Sequence, residues 1–429
     1  MNWNDNRESK LLVFKKNILI ISYKIPYPLV QGGAIAQFFF LKELTLLYDV
    51  TLCTMVWDES HKNNLKELQK RIPDLKIIYH EQIKESTFKL TLLAFIIKTL
   101  ARIDAKLKYL GTKKAEDDTV NSIINKIETQ FGYTNEGFVL FLDQIFEKEK
   151  FDLIQIEFFE TLSLLPFLPK LSKKIVVHHE IRSKRNSLLH TPNSIYKNYL
   201  VEATKIIEIA LLDVADKIIV FNHKDKEYLK ELDSKVFVSP FGIPDELIEK
   251  KTASILFNKF IFIGGENHYP NKEALEWFLD VIYNPNSSKI PWPIYIIGSW
   301  SKSTIEKYKN TKNIVFTGFL PDLNAMYENS VMVTPILSGS GIRTKILQSF
   351  ANKIPVMSTK FASEGLFEDI DTPNHLIHFE SEIDFLLEFD KMENDMNYLT
   401  SIAKNGFQYF SDFFNSDYLI QKRVNIYND

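Results

Sequence analysis

A single cysteine, Cys53, in 429 residues excludes an internal disulfide framework and any cysteine-rich metal site. No apolar stretch follows a basic region at the N-terminus: residues 1–9 are polar, and residues 18–22 have only the length of a strand. The expectation is a chain without a signal peptide, residing in the cytoplasm. Formal net charge is −3, so no global basic field points to nucleic acid. The pair Gly32-Gly33 lacks the G-x-G-x-x-G spacing of a dinucleotide site. What is present is ordinary: 45% hydrophobic and 25% charged residues, the proportions of a globular protein. One core does not serve this length, and two domains of roughly 200 residues each are expected.

Short apolar runs at residues 16–22, 50–55, 151–157, 174–180 and 216–221 alternate with helical patterns. A second set follows at 259–265, 294–299, 313–318, 331–333 and 354–357. Strands joined by helices predict α/β architecture with two Rossmann-like, doubly wound domains, whose ligands bind beyond the strand C-termini. The polar, aperiodic stretch 244–258 is read as the linker between them. Residues 86–109 carry an apolar run at 90–97 flanked by lysines, too short to span a bilayer. It is expected to pack within the domain. The alternative is a peripheral contact on the cytoplasmic face of the inner membrane.

Residues 331–359 read as strand, glycine turn, helix and strand, with helical spacing from Ile342 onward. A helix entry leaves backbone N–H groups unpaired and favours an anion. Arg343 and Lys345 in the predicted first turn oppose the helix dipole unless a phosphate lies between them and the amides. The alternative is a plain βαβ unit with solvated basic side chains. His178, His179, Glu180, Arg182, Lys184 and Arg185 cluster past another strand end. Adjacent histidines on a strand face opposite ways and cannot both bind one metal. Either is equally readable as a satisfied core histidine.

The segment Ser338-Gly-Ser-Gly-Ile-Arg-Thr-Lys-Ile-Leu-Gln-Ser-Phe-Ala351, followed by Pro355-Val-Met-Ser-Thr359, resembles the nucleotide-sugar segment of family 4 glycosyltransferases of the GT-B fold. The loop Pro26-Tyr-Pro-Leu-Val-Gln-Gly-Gly33 is similar to the one that opens those enzymes. Gly264-Gly-Glu-Asn-His-Tyr-Pro-Asn-Lys-Glu-Ala-Leu-Glu-Trp-Phe278 and Ala362-Ser-Glu-Gly-Leu366 match further family segments. The resemblance implies two domains facing across a cleft, divided as residues 1–243 (acceptor) and 244–408 (nucleotide sugar). A last helix, 409–429, would cross back to the first domain. It implies a hexosyltransferase that moves a sugar from a nucleotide-diphosphate sugar to a glycan, lipid-linked or other hydroxyl acceptor. Retention of configuration and a role in polysaccharide or glycoconjugate synthesis are part of that expectation.

Carried over residue by residue, the resemblance places His178 or His179 at the reacting centre. It assigns Gly33, Gly265, Lys272, Gly318, Phe319, Ser340, Gly341, Ile342, Arg343, Lys345, Gln348 and Glu364 to the donor. Gly32, Asn222 and His223 fall on the acceptor side. No cofactor and no metal are expected, because a helix dipole with Arg and Lys can neutralise a leaving diphosphate. Ser340 and Gln348 stand where many members have Glu. That departure motivates a second reading, a GT-B protein that binds or scaffolds without turnover.

Overall fold

The computed structural model describes residues 15–82, 134–188, 195–248, 256–367 and 374–429. Seven parallel strands form the first sheet: β1 (Asn17–Ser22), β2 (Asp49–Val56), β3 (Lys76–Glu81), β4 (Leu153–Glu157), β5 (Lys173–Val177), β6 (Lys217–Val220) and β7 (Val236–Val238). Their order is β3-β2-β1-β4-β5-β6-β7. Six parallel strands form the second: β8 (Lys259–Ile263), β9 (Ile294–Ile297), β10 (Ile314–Gly318), β11 (Ser330–Thr334), β12 (Val356–Ser358) and β13 (Ile377–His378). Their order is β10-β9-β8-β11-β12-β13. Both sheets reverse direction beside their first strand, at β1/β4 and β8/β11, and a crevice opens at such a switch point. The strands are near-continuous apolar runs because helices cover both faces; β4, β6 and β11 are buried at every position. The expected doubly wound pair is therefore the architecture observed.

The helix Gly32–Leu47 after β1 is apolar almost all round, with Phe38, Phe39, Phe40 and Leu41 all buried. A helix of that kind needs cover on both sides. The sheet supplies one, and the last helix, Ser416–Asn428, supplies the other: Arg423 lies 3.6 Å from the Phe40 ring centroid. Three lysines from the strand starts hold the far end of that last helix. Lys217 Nζ donates to the Ile426 carbonyl at 2.8 Å, Lys173 Nζ to the Tyr427 carbonyl at 3.1 Å, and Lys16 Nζ to Asn428 Oδ1 at 2.9 Å. Cations at the carbonyl end of a helix complement its dipole. The preceding helix, Met396–Phe413, packs instead on the second domain, where Phe350 approaches Gly406.

Helical patterns expected at 62–71 and 119–148 are seen as Glu59–Arg71 and, within the described residues, Glu136–Lys148. The segment 86–109 lies outside the described residues. Among those described, no helix is long and apolar enough to cross a membrane.

Candidate active site

The glycine turn after β11 sits at the crevice between the domains. Gly339 has φ 119° and Gly341 φ 76°, the left-handed region that only glycine adopts at little cost. That backbone delays the helix. It begins at Thr344 and not at Ile342, and Arg343 is its extended N-cap residue, not part of the first turn. No side chain caps the helix, so its first N–H groups are left without a side-chain partner. The Arg343 guanidinium folds back on the turn, donating from Nη1 to the Ser340 carbonyl at 2.6 Å and the Gly341 carbonyl at 3.0 Å. Arg343 thus locks the turn as well as charging it.

Lys345 does stand in the first turn. Its Nζ donates to Asn271 Oδ1 at 3.1 Å and lies 5.0 Å from the Phe262 ring centroid. Burial, reinforced by the Arg343 charge, brings its pKa down to about 7. Asn271 was not singled out in the sequence, though it lies in the matched Pro-Asn motif. It ties the loop after β8 to this lysine, since Nδ2 also donates to the Gly265 carbonyl at 3.3 Å.

The neighbouring cations differ. Arg182 pairs with Glu160 at 3.0 Å, Lys184 with Asp225 at 2.8 Å and Arg185 with Glu180 at 3.0 Å. Lys272, expected at the donor, pairs with Glu266 at 2.6 Å. Burial opposes ionisation of Glu266, yet hydrogen bonds from Lys272, Ser301 and Thr304 hold its pKa at about 2. Lys272 is thus paired within its own loop, with its side chain still 37% exposed. Arg343 and Lys345 have no carboxylate within ion-pair distance among the described residues. The surroundings explain the contrast: each paired cation has an acid within reach, whereas Arg343 meets the carbonyls of its own turn and Lys345 meets Asn271 and the Phe262 ring.

The two histidines follow β5 and point to different partners. His178 is buried, with Nε2 2.8 Å from Glu208 Oε1. Glu208 also accepts from the Arg182 and Ser183 amides at 2.8 and 3.0 Å and from Ser183 Oγ at 2.6 Å. Four bonds to one buried carboxylate make His178 part of the frame that holds the Arg182–Ser187 helix. His179 turns to the crevice. Its ring stacks on Phe158 at 3.9 Å and meets Phe221 edge-on at 5.1 Å. Nε2 is hydrogen-bonded to Glu157, and the buried Nδ1 has no partner. Burial lowers the imidazole pKa while Glu157 pulls the other way.

Loops of both domains meet here. A Cβ on Gly32 would lie 2.5 Å from Thr344 Oγ1, and one on Gly33 would lie 2.7 Å from the Phe158 ring and 3.6 Å from His179 Nδ1. Asn222 caps the helix His223–Tyr228, accepting from the Asp225 amide at 2.8 Å, and touches Gly365 across the crevice. His223 is exposed. Ile342 is buried, at 8% exposed. Ser340 Oγ is buried without a partner, as is Arg343 Nε. Gln348 and Glu364 are half-buried, Gly265 lines the loop after β8, and Gly318 and Phe319 lie exposed at the end of β10. Asp322 precedes the helix Asn324–Tyr327, whose N-cap residue is Leu323, and its Oδ1 accepts from the Asn324 amide at 2.9 Å.

Among the described residues no group of three or more His, Cys, Asp or Glu is placed to hold a metal. The sequence does contain an Asp-x-Asp spacing at residues 369–371, outside the described residues.

Residues 258–383 match the family model described as Glycosyl transferases group 1. An uncharacterized 44.6 kDa protein in the cps region of Klebsiella pneumoniae is 22% identical over 415 residues, covering 93% of this chain and 96% of that protein. Among solved structures, TarM aligns with a TM-score of 0.67 at 11% identity, covering 96% of this chain and 99% of the other. Anabaena HepE in complex with UDP-glucose aligns with a TM-score of 0.62 at 11% identity, with the same two coverages. At such identities the structural likeness establishes the fold, GT-B.

Proposed function

From a chain with the GT-B fold and a glycosyl transferases group 1 domain at residues 258–383, we propose a glycosyltransferase that uses a nucleotide-diphosphate sugar. The observation that carries this reading is the contrast among cations: Arg343 and Lys345 lack acids at an uncapped helix entry, while their neighbours are paired. A diphosphate complements these two cations and the helix entry in charge. The complex of HepE with UDP-glucose supports a nucleotide sugar of this class.

In this reading residues 1–243 receive the acceptor and residues 244–408 hold the donor; of the expected last helix, 409–429, the part that returns to the first domain is Ser416–Asn428. When the bond between the sugar's anomeric carbon and the diphosphate breaks, negative charge grows on the leaving oxygen. Lys345 and the amides at the start of Thr344–Ala351 stabilise it without reorganising, and Arg343 keeps the turn in shape. The acceptor is a glycan or lipid-linked hydroxyl entering beside Gly32 and Asn222, and configuration is retained, as family 4 resemblance implies. A metal-free reaction at the cytoplasmic membrane face, feeding polysaccharide or glycoconjugate synthesis, completes the proposal.

Donor binding should be visible as stability. At about 100 times its dissociation constant, a nucleoside diphosphate should stabilise the protein by about 2.7 kcal/mol. Thermal denaturation with UDP, GDP and ADP, each alone and as its glucose conjugate, reads this directly. No shift with any of them at millimolar concentration would remove the donor assignment. A positive nucleotide then goes into a release assay with and without lipid-linked acceptors.

A further inference from the structure

Four polar side chains form one buried line from the last helix to the crevice. Tyr427, on Ser416–Asn428, is hydrogen-bonded through its hydroxyl to Gln155 Oε1. Gln155 Nε2 donates to Glu157 Oε1 at 2.5 Å, and Glu157 Oε2 is hydrogen-bonded to His179 Nε2. Gln155 and Glu157 are two apart on β4 and so share one face of the sheet. All four side chains are enclosed: Gln155 is 1% exposed, Glu157 3% and Tyr427 2%, and the His179 side chain is 7% exposed.

The direction of every bond in the line follows from what each group can do. An ionised carboxylate only accepts, so Glu157 must receive an N–H from Gln155 on one side and from His179 on the other. With its amide nitrogen turned to Glu157, Gln155 presents oxygen to Tyr427, whose hydroxyl must then donate. The imidazole carries its proton on Nε2, and Nδ1 is left as a bare acceptor. That nitrogen faces Gly33 at the crevice and has no protein partner. Lys24 and Arg423 add positive charge nearby, which opposes a second proton on the ring.

We propose that Glu157, held in place by Gln155 and Tyr427, is a positioning residue that fixes the His179 tautomer, so that Nδ1 accepts a hydrogen bond from a hydroxyl of the bound sugar or acceptor. The hydroxyl ligand rests on the glycosyltransferase reading; the tautomer does not. The last helix, besides covering the first domain, thus fixes an atom at the reacting centre.

Glu157→Gln is the decisive change because it keeps shape and reverses one bond. Gln155 still donates to the oxygen at position 157, which leaves that residue's NH2 facing His179 Nε2. The ring must then accept at Nε2 and carry its proton on Nδ1. Nitrogen-15 NMR of the full-length chain labelled in histidine distinguishes the two neutral forms, with the His179 signal identified by its loss in His179→Asn. The expected result is the Nε2–H form in wild type and in Tyr427→Phe, where the carboxylate still only accepts, and the Nδ1–H form in Glu157→Gln. An imidazolium or an Nδ1–H ring in wild type at neutral pH overturns the proposal, as does an unchanged tautomer in Glu157→Gln. If Glu157→Gln does not fold, Glu157→Ala decides: with no carboxylate at Nε2 a mixture of both neutral forms is expected, and an unaltered His179 signal overturns the proposal. Where turnover is measurable, Glu157→Gln should lower kcat roughly tenfold or more while the dissociation constant for the nucleoside diphosphate stays level. A chain that shows the tautomer switch yet binds no nucleotide would sink the donor reading and leave the relay standing.

Discussion

Lys345→Met is expected to weaken nucleoside diphosphate binding by roughly 10- to 100-fold, the worth of one charge-assisted contact. It should also remove the pH dependence of that binding. In the free protein Lys345 has a pKa of about 7, lowered by burial and by Arg343 from its ordinary 10.5. A bound diphosphate favours the ammonium form and raises that pKa. Below pH 7 the lysine is already charged, and affinity is flat. Above it, binding must take up a proton, so affinity falls as pH rises.

Stability runs the opposite way. The unfolded lysine keeps its proton up to 10.5, so between pH 7 and 10.5 the unfolded state binds more protons and the free protein gains stability as pH rises. Below pH 7 the charged, half-buried lysine burdens the fold in full. Lys345→Met should therefore melt higher than wild type at pH 6 without nucleotide, with the difference vanishing toward pH 10. Calorimetric titration from pH 6 to 9 in buffers of unlike ionisation enthalpy reads the proton uptake. A wild-type affinity that does not change across this range would refute the linkage.

The largest loss of stability is expected from Gly298→Ala. Gly298 has φ 136°, and a Cβ there would sit 2.3 Å from the Gly264 carbonyl oxygen and 2.7 Å from its carbon. Backbone strain and a clash against rigid main chain each cost about 1–3 kcal/mol, so a loss of about 3–5 kcal/mol is predicted. The melting temperature should drop on the order of 10 °C. Gly318→Ala is the control: its φ is 74°, yet nothing lies within 4 Å of the added carbon. It should cost only about 1 kcal/mol. Equal losses in the two variants would show that the close approach of the β8 and β9 exits is not what demands glycine. Because Gly264 precedes the loop that Asn271 binds to Lys345, Gly298→Ala should weaken nucleotide binding as well.

How far the sequence discloses this site depends on the range of the interactions involved. Strand runs and helix periods are local, and both sheets were readable from them. The start of the helix at Thr344 was misplaced by two residues because apolar spacing at Ile342 ignores what two left-handed glycines do to the backbone. Lys272 looked available because its partner, Glu266, is recognisable only once the loop closes on Ser301 and Thr304. The choice between His178 and His179 rests on acids 30 and 22 residues away, and the hydroxyl that ends the His179 line comes from 272 residues beyond Gln155. One clue was present: polar Gln155 and Glu157 alternate on one face of an otherwise apolar strand. Buried polar groups two apart on a strand call for partners from elsewhere in the fold.

The chain passes between the domains twice, once after Ile243 and once at Phe414, and these two passages touch. A Cβ on Gly242 would fall 2.7 Å from the Phe414 carbonyl oxygen and 2.8 Å from the Phe39 ring. Position 242 therefore has no room for a side chain, and the three lysines fasten the returning helix to the first sheet, so the two halves are held at this point by contact as well as by the chain itself.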